Sequence, residues 1–159
     1  MKSELTLLTE QFRQVYEKDP WYGASVKTVL DSLSPAVVFD PPAPNVHSIA
    51  ELVAHVINWR RFLLSRLESD TTSVPRQEET FNWEKVTSHR SDAWDELKEQ
   101  LDLTQQQLSE LLAQEDDSLL GRPVAAKPYI FRYMINGVLQ YDIYHLGQIA
   151  FINRMYLAG

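Results

Sequence analysis

Apolar residues in this chain recur every three or four positions, in segments separated by proline-bearing and polar stretches. That period belongs to helices rather than strands. The first segment predicts a helix from Leu5 to about Lys18, ended by Pro20, and a shorter one from Ala24 to Leu33, closed by Pro35. Pro41, Pro42 and Pro44 follow, and proline removes the amide that a helix interior needs, so this stretch reads as a stiff extended crossover.

Ser48-Ile49-Ala50-Glu51 has the form of a capping box, in which hydroxyl and carboxylate satisfy amides left free by the first helical turn. Ile49, Leu52, Val53, Val56, Leu63 and Leu67 then form one stripe, predicting a helix to about Glu68. Ser69 to Ser88 is polar and contains Pro75, Phe81 and Trp83, and reads as a loop pinned to the body by its aromatics. Asp92 to about Gln114 carries Trp94, Leu97, Leu101, Leu108, Leu111 and Leu112 among Gln and Glu, an amphipathic helix with one wet face. Gly121 to Pro128 reads as a turn-rich link.

The last predicted helix, about Tyr129 to Leu157, is apolar nearly all round. Phe131, Met134, Val138, Tyr141, His145, Ile149, Ile152 and Tyr156 share one line of its wheel, and Leu139, Ile143, Leu146 and Phe151 flank it. Arg132, Asn136, Gln140 and Arg154 mark a narrow polar edge. Such a helix is central in a fold or buried in a dimer. The prediction is all-α: a four-helix bundle with an additional short helix, one domain over residues 1–159.

Composition narrows the function. A net charge of −7 argues against a nucleic-acid partner, and Arg60-Arg61 is the one adjacent basic pair. The absence of cysteine removes disulfides, thiolate ligands and a cysteine nucleophile together. The first residues lack the apolar stretch of a secretory signal, and Ile143 to Asn153, a charge-free run, falls well short of a bilayer span. The expectation is a cytoplasmic protein with no membrane partner. The sequence holds no nucleotide-binding glycine loop, serine-nucleophile elbow or HExxH zinc motif.

The candidate chemistry is at His145, an imidazole on an apolar seam, with Tyr141 one turn before it and Asp142 and Gln148 three residues to either side. It reads either as a core histidine bonded to Tyr141 or Asp142, or as a metal ligand oriented by a carboxylate. His55 lies at the edge of its helix stripe beside Trp59 and Phe62, with Glu51 one turn earlier. Glu51 could join His55 on an ion, but the capping box already accounts for it. His47 and His89 precede helices in polar surroundings and read as surface residues.

His47 to Arg60, together with Tyr141-Asp142-Ile143-Tyr144-His145-Leu146-Gly147-Gln148-Ile149, resembles the DinB-like superfamily of helical bundles. Trp21-Tyr22-Gly23-Ala24-Ser25 fits the same pattern, where many members read Trp-His-Gly-Pro-Ser. The resemblance implies a nickel or zinc site built from a histidine matching His55 and a histidine pair on the last helix matching positions 141 and 145. Tyrosine stands at two of the family's histidine positions, Tyr141 and Tyr22. A neutral phenol is a poor ligand for nickel or zinc, whereas iron(III) can hold a tyrosinate. The implied alternatives are a two-histidine site completed by water or Glu51, a site using Tyr141, or no metal.

Relatives include thiol-using transferases and isomerases, among them bacillithiol transferases and mycothiol-dependent maleylpyruvate isomerase, and many metal-dependent hydrolases of unassigned substrate. The implied function is therefore divalent-metal-dependent transfer or hydrolysis, with a small-molecule or thiol substrate. Its pocket would be walled by Trp21, Tyr22, Trp59, Tyr141 and Gln148, with Asp142 and Glu51 behind the ligands. The alternative is a non-catalytic bundle that has lost its metal, plugged by Tyr141, His145 and His55, and acts as a small-molecule-binding or dimeric structural protein. A homodimer, common among relatives, is expected in either case.

Overall fold

The computed structural model describes residues 2–68, 86 and 92–158. The expected loop aromatics Phe81 and Trp83, and His89, lie outside the described residues. Six helices occur among the described residues, and the prediction of an all-α bundle holds.

α1 (Glu4–Glu17) is capped twice. The Ser3 hydroxyl accepts from the Thr6 amide, and the Asp117 carboxylate, from the far end of the sequence, accepts from the amides of Glu4 and Leu5 at 3.2 and 2.9 Å. α2 (Val26–Asp31) is shorter than its apolar pattern, because Ser25 turns its hydroxyl onto the Thr28 amide and starts the helix only after itself.

The crossover that follows is not helical, as its prolines require, but it is not extended either. Amides of Val37, Asp40 and Val46 bond to the carbonyls three residues earlier, so the chain coils through successive turns. The proline φ near −65° suits a turn as well as an extended strand, so sequence alone did not separate them. Asn45, at φ 63°, takes the left-handed position in this run.

α3 (Ile49–Leu67) begins on the capping box: Glu51 accepts from the Ser48 amide at 2.9 Å, and Ser48 accepts from the Glu51 amide at 3.2 Å. α4 (Ala93–Ala113) packs against α3, and its wet face is as the sequence implies. The four residues of α5 (Ser118–Gly121), too few to show a period, tuck Leu119 and Leu120 into the core. α6 (Phe131–Ala158) starts later than the apolar pattern suggests. Bonds from Val124 to Tyr129 and from Phe131 to Arg122 tie the link into an antiparallel bridge and delay the helix.

The four long helices close a ring in which α1 packs on α4 and α6, and α3 packs on α4 and α6. α2 leans on α1 and α6, and α5 on α6. Phe12, Leu63, Trp94, Leu101, Leu108 and Ile135 fill the centre. Among the described residues no helix is long and apolar enough to cross a membrane.

A candidate site between the third and sixth helices

α3 presents His55 and Trp59 one turn apart, and α6 answers with Tyr141 and His145, also one turn apart. Packing of the two apolar faces brings all four rings together. The His55 and His145 rings meet edge-on with centroids 5.3 Å apart. Tyr141 lies 4.4 Å from His145 and 5.5 Å from Trp59 by the same measure. His55 Nε2 and the Tyr141 hydroxyl are 2.9 Å apart, a direct hydrogen bond across the helix interface.

The proton positions follow from the partners. Burial, and then the positive fields of His145 and His47, push the His55 pKa down to about 4, so this ring is neutral at pH 7. Burial pushes the Tyr141 phenol up, and donation from Trp59 offsets only part of that. The phenol is the stronger acid and the imidazole nitrogen the stronger base, so the phenol proton goes to His55 Nε2, which leaves the ring's own proton on Nδ1. Burial also lowers the His145 pKa, against the opposing pull of Gln148 and Asp142. Gln148 Oε1 lies 2.6 Å from His145 Nδ1 and accepts its proton, fixing that tautomer.

Behind the rings lies an ion pair that the sequence reading missed. Arg60, 0% exposed, donates through Nε and an Nη to one oxygen of Asp142, 3% exposed, at 3.1 and 2.7 Å. Its other Nη donates to Gln105 Oε1 at 3.0 Å, and the guanidinium lies over the Tyr16 ring. Asp142 therefore serves Arg60 and fastens α6 to α3, and its charge also reaches His145. A readable signal existed: Arg60 interrupts the stripe of Val53, Val56, Leu63 and Leu67 at their own spacing.

Other expected site residues divide. Gln148 and Trp59 join the cluster. Trp21 does not: it is 102% exposed, in the turn after Pro20. Tyr22 is half-exposed, with its pKa raised by burial and by the charge of Asp142. Glu51 is engaged by the Ser48 amide and lies 3.4 Å from His47, in its capping role.

The residues present do not fit a family-type nickel or zinc ion. Such sites take three or more protein ligands. Here one imidazole nitrogen is bonded to a phenol, and without an ion, burial keeps that phenol neutral. Among the described residues no group of three His, Cys, Asp or Glu could hold a metal.

The lowered His55 pKa has a consequence for stability. Between the ordinary value of 6.5 and about 4 the unfolded chain binds more protons than the folded one. The stabilisation from keeping His55 neutral is complete above that window and is lost as pH falls through it. The urea midpoint should therefore fall from pH 6.5 towards 4, and His55→Leu should flatten the decline. An undiminished decline in His55→Leu would mean that other groups carry it.

A family model described as DinB superfamily matches residues 23–149, which include every residue of this cluster. No curated protein and no solved structure matches the chain.

Proposed function

The chain belongs to the DinB superfamily, and on that footing we propose that it is a metal-independent, non-catalytic member that binds a small molecule beside the Tyr141–His55 contact. The observation that carries this reading is the 2.9 Å bond between the phenol and His55 Nε2. A family-type ion would need that nitrogen and a donor at position 141. In this chain each satisfies the other, and burial favours the neutral form of both. The polar groups thus form a rigid wall that needs no ion to hold it.

The second reading is metal-dependent transfer or hydrolysis on a small-molecule or thiol substrate. It draws on the two neutral imidazoles, with ring centroids 5.3 Å apart, and requires the ion to break the phenol bond first. Melting curves separate the two. A ligand that binds only the folded state raises the melting temperature as its concentration rises. Nickel or zinc should leave it unchanged, and a rise that grows with metal concentration would favour the second reading.

A second copy of the chain is the proposed partner. Tyr144, Phe151 and Met155 are exposed along the outer face of α6, which no other described helix covers. Sedimentation should show a dimer that Phe151→Glu converts to monomer, and a monomeric parent chain would refute this.

A further inference from the structure

The geometry points to a binding pocket for an uncharged aromatic ring on the side of Tyr141 away from His145. This rests on the small-molecule-binding reading above and names the class of ligand. A cavity of about 280 Å³ opens between α3 and the start of α6. Trp59, Tyr129, Tyr133 and Tyr141 wall it, and Met134, Gly137 and Val138 form its floor. That is near the small end of ligand pockets, suited to one compact ring system.

Charge selects the occupant. Among the described residues no charged side chain lines the cavity, so a carboxylate or phosphate would find no counter-ion among them. Aromatic walls can also attract cations, but this side already carries two. Arg66 lies 4.8 Å and Lys127 5.6 Å from the centre of the Phe62 ring, and that ring packs edge-on against Trp59. A further cation would add a third positive group beside the same aromatic pair. An uncharged ring meets none of these penalties and gains edge and face contacts with its walls.

Gly137 is the second observation. It sits inside a helix, where glycine costs about 1 kcal/mol relative to alanine. Packing among the described residues does not require it: a Cβ there would meet none of their atoms within 4 Å. What the missing side chain leaves is the open floor of the cavity. A larger residue at this position would lean towards the preceding turn, over Tyr133 and Met134, and fill it.

The test uses methyl-labelled methionine in the full chain, titrated with indole, with tetramethylammonium and benzoate as charged probes. Met134 reports from the floor, and Met155, away from the cavity, serves as an internal control. Indole should shift the Met134 methyl saturably, and the charged probes should not. Gly137→Leu should weaken indole binding by about tenfold or more, while Gly147→Leu, on the same helix but away from the cavity, should leave it intact. No Met134 shift with indole, an equal response in Gly137→Leu, or a preference for tetramethylammonium would overturn the pocket or its ligand class. The metal content of the same sample is measured in parallel. Bound metal together with an intact indole response would sink the metal-independent reading and leave the pocket standing.

Discussion

Asp142→Ala is expected to destabilise the fold by about 3–5 kcal/mol, read as a shift in urea unfolding. The substitution leaves the Arg60 guanidinium charged, 0% exposed and without the carboxylate that takes two of its hydrogen bonds. Gln105 and the Tyr16 ring remain, but neither carries a negative charge. The pair itself is no great source of net stability: burial raises the Asp142 pKa against the pull of Arg60. The double variant Arg60→Met, Asp142→Leu should therefore recover most of the loss, since it removes both desolvated charges and keeps their volume. A loss below about 1 kcal/mol in the single variant would show that water or another group reaches Arg60. Because the pair joins α3 to α6 at the turn after His55 and Trp59, the single variant should also loosen the ring cluster.

Tyr141→His should raise nickel or zinc affinity well above that of the parent chain. The ring at position 141 lies 4.4 Å from His145 and 5.6 Å from His55, centre to centre. An imidazole there removes the phenol that occupies His55 Nε2 and adds a third neutral nitrogen donor. Three imidazoles with an open position make a common zinc arrangement. Calorimetric titration should give roughly one equivalent per chain, abolished by adding His55→Ala or His145→Ala. The variant should lose about 1 kcal/mol of stability without metal, the worth of one hydrogen bond. Unchanged affinity in Tyr141→His would mean that the three positions do not converge on one ion.

Much of this was legible in the residues. The capping box at Ser48 and Glu51 fixed where α3 begins, and with it the face on which His55 stands. The position of His145 on the apolar line of α6 is a buried one, and its ring meets that of His55, but pairing the two came from the family resemblance and not from spacing. Other features depend on tertiary pairing that spacing does not encode. α5 has too few residues to show a period, and Asp117 at its start caps α1 instead. Trp21 matched a family pattern, yet the turn it occupies sends it into solvent. The aromatic cavity joins one residue of α3 to α6 and to Tyr129 in the link before it, a combination visible only once the bridge at Pro123 and Ile130 is formed. Arg60 could have been found, as a charge on an apolar stripe, but its partner could not.

The most direct test of the site is the metal content of tag-free protein purified without chelators, then incubated in turn with nickel, zinc and iron(III) and desalted. A protein whose His55 and Tyr141 satisfy each other should carry far less than one equivalent of any of them. Near-stoichiometric metal, lost in His55→Ala and in His145→Ala, would contradict this and show that an ion opens the phenol bond and takes both imidazoles.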